Sequence, residues 1–482
     1  MVAFIDGCRY SPFIDQRLCL QGVPMSSTSA PSPVVIVGAG PIGLAAAAHA
    51  HVRGLPAIVL EAGASVGAAV RAWGHVRLFS PWAELVDPAA ADLLLADGWV
   101  RPEATDYPTG AEWAERYLEP LTRSLVATGA IEVRLGHRVT GVARRGRDRL
   151  VDSGRDEADF SVHVEGPDGP LVIEARAVID ASGTWGDPNP LGAEGLPALG
   201  ELAHGDRITY GIPDLADPAT RQRYAGRHVA VAGTGASAQN TLVGLADLAR
   251  AEPGTRVTWL VRRGETATAF GGGDADQLEA RGALGTRARR AVESGTVQTL
   301  TGFRTVGLEP DPGANGTLRL VALDGRHVDG IDEIVVVTGF RPDLTWLSEV
   351  RLDLDPVLSA PRQLAPLIDP NVHSCGTVYP HGAAELTQPE SGLYLAGMKS
   401  YGRATSFLAL TGFEQVRSIV AAIAGDHAAA ARVELVLPET GVCGGSGLYD
   451  GLPADDAGGC CGPTPASPEL ITLGTRSAGG CG

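Results

Sequence analysis

Two short glycine motifs constrain the fold of this chain more than any other feature of it. The first, Gly38-Ala39-Gly40-Pro41-Ile42-Gly43, reads G-x-G-x-x-G, and the second, Gly233-Thr234-Gly235-Ala236-Ser237-Ala238, reads G-x-G-x-x-A. With 63 glycines in 482 residues, three glycines fall into the first spacing by chance about once, so the flanks must decide. Before the first motif, Val34 to Val37 is an apolar, β-branched run of the kind found in buried parallel strands. After it, Ile42 to Arg53 predicts an Ala-rich helix closed by Gly54 and Pro56, and Ala57 to Leu60 a second strand ending at Glu61. The second motif has the same setting, with a strand at His228 to Ala232, a helix at Ala236 to Arg250 and a strand at Val257 to Val261.

Each residue of such a turn has a physical task. Gly38 permits the tight turn, Gly40 lets the backbone approach a pyrophosphate, and Gly43 lets helix and strand pack closely. The helix start at Pro41 and Ile42 offers unpaired N–H groups and partial positive charge to phosphates. Glu61, 18 residues beyond Gly43, can accept hydrogen bonds from ribose hydroxyls and repels a 2′-phosphate, which suits FAD or NAD. In the second unit Ala238 still permits close packing, and the following strand ends at Arg262-Arg263 instead of an acid. Two guanidinium groups suit a 2′-phosphate, so this site is expected to take NADPH, with Gly233, Thr234, Gly235, Ala236 and Ser237 along its phosphates.

The fold class expected is therefore α/β, with two Rossmann-like dinucleotide-binding domains. Further strands are predicted at Ala177 to Ile179, Glu333 to Val337 and Leu393 to Ala396, and helices at Thr109 to Ala127, Ala275 to Ser294 and Thr411 to Ala424. Residues 1–32 read as a disordered extension, within which Met25, followed by Ser26-Ser27-Thr28-Ser29, is a more ordinary start than Met1. Beginning the chain there would remove Cys8 and Cys19. Residues 438–482 read as a flexible Gly- and Cys-rich tail with one short strand at Leu470 to Leu473. A net charge of −17 argues against nucleic-acid or anionic-membrane partners. No apolar run approaches the roughly 20 residues that cross a bilayer, and Met1 to Leu20 lack the order of a signal peptide. A cytoplasmic location is the expectation.

In combination these motifs resemble the two-dinucleotide-binding-domain flavoproteins, which include flavin-containing monooxygenases and thioredoxin reductases, over Pro33 to Asp426. Ile179-Asp180-Ala181-Ser182-Gly183-Thr184 is similar to the first crossover of that family, and Val337-Thr338-Gly339-Phe340-Arg341-Pro342-Asp343 to its return segment. Leu393-Tyr394-Leu395-Ala396-Gly397 resembles the strand that ends beside the flavin ribityl chain, with Met398 where an aspartate is common. The resemblance implies an FAD domain in two parts, 33–185 and 333–437, with an NADP domain at 186–332 inserted between them. It further implies that Arg71, Trp73 and Ser80 line the FAD, that Val139 meets the adenine through its backbone, and that Thr411-Gly412 opens a helix toward the flavin pyrimidine. Gly183, Thr338 and Gly339 fall at the crossovers beside the cofactors.

Within the family, disulfide reductases use a close dithiol, and no C-x-x-C occurs anywhere in this chain. Monooxygenases carry F-x-G-x-x-x-H before the second glycine motif, and Gly200-Glu201-Leu202-Ala203-His204 keeps the G-x-x-x-H spacing with Ala198 in place of Phe. The favoured expectation is an NADPH- and FAD-dependent monooxygenase-like enzyme acting with O2 on a small organic or soft-atom substrate. The alternatives are a flavin reductase of thiols or disulfides and a metalloid-binding flavoprotein. His373, Cys375 and His381, between the return segment and the flavin strand, are catalytic candidates or else a buried thiol with satisfied histidines. Lys399, Tyr401 and Arg403 are placed to reach the substrate side of the flavin or, equally, solvent. Cys443, Cys460, Cys461 and Cys481 are candidate ligands for a soft ion such as arsenite, mercury or copper(I). A homodimer is compatible with all of these readings.

Overall fold

The same unit is built twice along the chain: parallel strands joined through a glycine turn and a helix, then an antiparallel three-stranded meander on the opposite face. The structure, a computed structural model, describes residues 31–273, 276, 278–313, 316–370, 380–404 and 407–435. The first unit holds β1 (Val34–Val37), β2 (Ala57–Glu61), β3 (Ile131–Leu135), the meander β4 (Arg138–Arg144), β5 (Phe160–Gly166) and β6 (Gly169–Ala175), and then β7 (Ala177–Asp180). The second unit holds β8 (Ile208–Tyr210), β9 (His228–Ala232), β10 (Arg256–Val261), β11 (Val297–Thr301), the meander β12 (Thr305–Pro310), β13 (Leu318–Ala322) and β14 (His327–Ile331), and then β15 (Glu333–Val336). The last strand, β16 (Leu393–Leu395), returns to the first sheet, whose order is β16-β7-β1-β2-β3. The second sheet runs β11-β10-β9-β15-β8.

Alternation along β1 explains the layering. Val34 and Ile36 face a helical layer that includes Leu44, Ala47 and Val416, while Val35 and Val37 face the meander residues Val142, Phe160, Val162 and Val164. β9 repeats the pattern, with Val229 and Val231 toward Leu242 and Leu245 and with Ala230 and Ala232 toward Leu308 and Leu320. Strands covered on both faces must be apolar throughout, which is why these runs show no polar alternation in the sequence. Helix Pro41–Val52 packs on helix Ala409–Ile423 through fully buried alanines, whose small side chains permit a close approach. The first meander is tied to the segment before β16 by buried Glu390, which accepts from Arg144 Nε at 2.9 Å and Arg155 Nε at 2.7 Å.

Several expected boundaries move. β15 lies in the second sheet, between β9 and β8, so the domain boundary placed before Glu333 belongs instead at the return segment after Val337. The sequence shows only that an apolar strand begins there; which sheet it joins is a matter of pairing. The helix expected from Ala275 begins at Glu279. Neither meander was anticipated, because their strands are half-exposed and interrupted by β-bulges. The extension before residue 31 and the tail with its strand at Leu470 to Leu473 lie outside the described residues.

β9 opens with His228, whose ring is buried, its Nε2 2.8 Å from Thr258 Oγ1 and its Nδ1 3.1 Å from Gly330 O. Burial, reinforced by Arg256, holds this imidazole below its usual pKa, with Gly330 and Asp332 opposing. The unfolded state then binds a proton that the native state refuses, so stability falls as pH drops below about 6.5. His228→Gln is expected to flatten the fall in denaturant-measured stability between about pH 7 and pH 5; an unchanged slope would assign it to other groups.

Candidate functional site

The first glycine turn is a preformed cradle. Gly38 has φ +100°, and a Cβ there would stand 2.8 Å from Ala181 O. A Cβ on Gly43 would stand 1.9 Å from Gly38 O, so these two positions are closed to any side chain. Gly40 differs: it caps helix Pro41–Val52 with φ −81° and ψ −176°, no side chain caps the helix, and a Cβ there would meet nothing within 4 Å. The space beside Gly40 and the first-turn N–H groups of the helix therefore fit a pyrophosphate. Glu61 is fixed at the far end, Oε2 accepting from Ala39 N at 2.8 Å and Oε1 from Gly63 N at 2.7 Å. A carboxylate has about four acceptor positions, so roughly two remain for ribose hydroxyls.

The second turn repeats this geometry. Gly235 caps helix Ala236–Ala251 with the same φ −81° and ψ −176°, again without a side-chain cap and with open space at its Cβ position. Gly233 has φ +129°, and its Cβ would stand 2.3 Å from Val337 O. Buried Trp259 holds the turn from below, donating Nε1–H to Gly233 O at 2.7 Å. Arg262 and Arg263 follow β10, and Arg262 Nη1 donates to Ala193 O at 3.2 Å. Hydrogen bonding sets the correspondence of the two units. His137 N donates to Glu61 O in the first, and Phe303 N to Val261 O in the second. Glu61 thus corresponds to Val261, and the arginines come one and two residues beyond the position expected for them.

The two crossovers are zipped to each other. Asn189 N donates to Gly339 O at 2.9 Å, Asn189 Nδ2 to Thr338 O at 3.0 Å and Thr338 Oγ1 to Asn189 O at 3.1 Å. Arg341 Nε donates to Asn189 Oδ1, and Trp185 meets Phe340 with ring centroids 4.9 Å apart. Where β7 ends, fully buried Asp180 accepts through Oδ1 from Ser182 N and Oγ. Lys399, 2 % exposed, reaches Ser182 Oγ at 3.0 Å and Asp180 Oδ2 at 3.4 Å, with its ammonium 5.4 Å from the Trp346 ring centre. Beside it, Gln415 Oε1 accepts from Gly397 N at 2.7 Å, and Gln415 Nε2 lies 2.8 Å from His381 Nε2 and 2.9 Å from Ser400 Oγ.

These groups line the crevice at the carboxyl ends of β1, β7 and β16, where open α/β sheets bind ligands. Gly397 lies against Ile42 of the first cradle, and Gly183 (φ +71°) has open space at its Cβ position. Lys399 and Tyr401 are buried, contrary to the solvent-facing alternative, while Arg403 is exposed. Met398, 36 % exposed, offers no acceptor where the resemblance led one to look for an aspartate. Arg71 lies just past the loop whose Gly67 N bonds Ala39 O, with Nη2 2.5 Å from Glu119 Oε1; Trp73 is half-buried over Gly110, and Ser80 is half-buried. Val139 stands near the corner after β3, packed on the cluster containing Val37 and Leu60. His381 is buried, whereas His373, Cys375 and the four tail cysteines lie outside the described residues. Among the described residues no group of three His, Cys, Asp or Glu could hold a metal ion, and no helix is long and apolar enough to cross a membrane. Sequence reasoning assigns Gln415 and Asn189 no role and names Asp180 only within the first crossover; a lone acid ending an otherwise apolar strand is the available signal for Asp180.

Fold and cradles together define an α/β protein with two glycine-turn cradles of the kind that bind dinucleotides. Residues 35–374 match the family model described as pyridine nucleotide-disulphide oxidoreductase, and the chain belongs to that family. That family is one of pyridine nucleotide-dependent oxidoreductases. Thiamine thiazole synthase of Saccharolobus islandicus is 30% identical over 183 residues, which is 37% of this chain and 65% of that protein. The chain thus spans just under two thirds of the length of that curated relative. Bacillithiol disulfide reductase from Bacillus cereus shares the fold with a TM-score of 0.58 and 20% identity, covering 84% of this chain and 100% of the other. A flavin-containing monooxygenase from Stenotrophomonas maltophilia does so with a TM-score of 0.50 and 22% identity, covering 82% and 100%.

Two expectations follow from this geometry. Gly235→Ala should leave thermal unfolding unchanged yet weaken nicotinamide dinucleotide binding by more than about tenfold in calorimetric titration, whereas Gly43→Ala should lower the unfolding temperature itself. Lys399→Met strands Asp180 as a buried charge, and a loss of about 3–5 kcal/mol in denaturant unfolding is expected. A loss under about 1 kcal/mol would mean the pair is solvated in solution.

Proposed function

We propose that this chain is an NADPH- and FAD-dependent monooxygenase, oxidising a small organic or soft-atom substrate with O2. The overall balance is NADPH, H⁺, O2 and substrate going to NADP⁺, water and the oxygenated product. The observation that carries the nucleotide assignment is the charge contrast between two otherwise equivalent cradles. Glu61 is fixed by two backbone N–H groups in the first unit, and in the second Arg262 and Arg263 come one and two residues past the matching position, Val261. A carboxylate repels a 2′-phosphate and a guanidinium pair grips one. Oxygen is favoured over a dithiol as acceptor because no C-x-x-C occurs in the sequence.

Bound FAD supplies the two-electron chemistry that no side chain here provides. The protein's own part is to hold and orient. Gly40 and the helix behind it take the FAD pyrophosphate, and Glu61 takes its ribose. Gly235 and helix Ala236–Ala251 take the second pyrophosphate. The Asp180–Ser182–Lys399 cluster fixes the crevice floor against Gly38, since a Cβ on Gly38 would lie 2.9 Å from Ser182 Cα. Gln415 fixes the Gly397 turn. Phe79, from the segment after β2, packs against the core of the second unit, and Trp185 and Phe340 stack where the crossovers meet, so apolar rings keep water from that part of the crevice.

The test uses thioanisole as a soft-atom probe with NADPH and ¹⁸O2. Heavy oxygen in the sulfoxide, with one NADPH consumed per product, is the expected result. Reduction of an aromatic disulfide probe without label in any sulfoxide would overturn the proposal in favour of a disulfide reductase served by Cys375 or the tail cysteines.

A further inference from the structure

The near-identity of the two units makes their differences informative. In each, the corner after the third strand is a left-handed glycine that hydrogen-bonds back to the end of the second strand. Gly136 (φ +67°) donates to Gly63 O, and Gly302 (φ +64°) donates to Arg263 O. The next residue repeats the match, His137 N to Glu61 O and Phe303 N to Val261 O. A hairpin tip then folds over each corner: β5–β6 over Gly136 and β13–β14 over Gly302. The residue presented to the corner differs in chemistry. A Cβ on Gly136 would stand 3.4 Å from Pro167 Cγ, while a Cβ on Gly302 would stand 3.3 Å from Arg326 Nη2. One unit thus closes this edge with an apolar ring and the other with a guanidinium.

Arg326 is held for the purpose. Its Nη1 donates to Thr301 O at 3.1 Å, its Nη2 to Gly302 O at 2.8 Å and its Nε to Asp324 Oδ2 at 2.7 Å. A guanidinium has five N–H donors, so these three bonds leave one on each terminal nitrogen. Leu300, Phe303, Asp324, Gly325, Arg326 and His327 line a depression of about 470 Å³ at this end of β11. The backbone bond from Gly302 N to Arg263 O joins this corner to the segment that carries Arg262 and Arg263.

We infer that Arg326 is a third cation of the 2′-phosphate site, reaching it from the meander hairpin, and that it sets preference for NADPH over NADH together with Arg262 and Arg263. This rests on the assignment of the second cradle to NADPH. A phosphate dianion at the ribose 2′ position gains paired, charge-assisted bonds from a guanidinium already oriented by two carbonyls and a carboxylate. Asp324 orients the fork and, by like charge, confines the phosphate to the opposite edge. In the first unit Ala62 and Gly63 stand where the second has Arg262 and Arg263, and Pro167 stands where it has Arg326.

The experiment is calorimetric titration of the FAD-loaded full-length protein with 2′,5′-ADP and with 5′-AMP, which differ by the 2′-phosphate. Wild type is expected to prefer 2′,5′-ADP strongly. Arg326→Gln should weaken 2′,5′-ADP by about tenfold with 5′-AMP unchanged, and Arg326→Lys, which keeps the charge but not the fork, should fall between. Arg326→Gln weakening both ligands equally, or neither, would overturn the inference. If the preference survives Arg326→Gln but vanishes in Arg262→Ala/Arg263→Ala, the cradle assignment stands and the third cation fails. If wild type does not distinguish the two ligands, the NADPH assignment fails and carries this inference with it.

Discussion

Everything in this structure depends on two places where the backbone crosses itself too closely for a side chain. At Gly38 the turn after β1 lies against Ala181 O, and at Gly233 the turn after β9 lies against Val337 O. Because each turn is pressed on the strand beside it, the helix that follows points its free N–H groups along the carboxyl ends of the sheet. The crossovers leave from the same points, Ala181 N donating to Val37 O and Val337 N to Ala232 O. One contact therefore positions a phosphate cradle and launches the segment that joins the two units. The crossovers zip together through Asn189 and Thr338, and the relation between the cradles follows from that pairing.

Around those turns the protein invests buried charge where it needs definite orientation. Asp180 and Lys399 are almost wholly removed from water, and such a pair gives little net stability against an apolar alternative. What it gives is geometry: Ser182 is gripped through both N and Oγ, and the segment after β16 is tied to the end of β7. Gln415 does similar work with neutral groups, and its bond from Gly397 N fixes the amide so that Nε2 faces His381. His381 Nε2 then acts as the acceptor, with the ring proton on Nδ1. Of the residues weighed as substrate-facing or else solvent-exposed, Lys399 and Tyr401 are buried.

The ribose ends show how one fold is set to two tasks by few residues. Glu61 is preorganised by Ala39 and Gly63 N–H groups, and its structural counterpart, Val261, is a buried apolar residue. On the proposed reading, the cations of the second site are Arg262 and Arg263, just past that position, and Arg326 of the meander. Charge at this edge is therefore distributed over separate elements of the chain, with only Arg262 and Arg263 adjacent in sequence. The family to which the chain belongs is defined by its use of a pyridine nucleotide.

The cradles were legible in the sequence because each is local. A glycine turn, an apolar strand before it, a helix after it and a charged strand end all fall within about thirty contiguous residues, where backbone sterics and capping decide the outcome. Tertiary structure alone decided the rest. β15 reads as an apolar strand in either sheet, and only its pairing with β9 and β8 assigns it. Asp180 and Lys399 are far apart in the chain, and nothing local to either announces the partner. Arg326 carries no signal in the sequence, and only the fold sets it over Gly302, in the place where Pro167 covers Gly136. Local rules set what each segment can be; long-range pairing, which a one-dimensional pattern does not encode residue by residue, set what each segment faces.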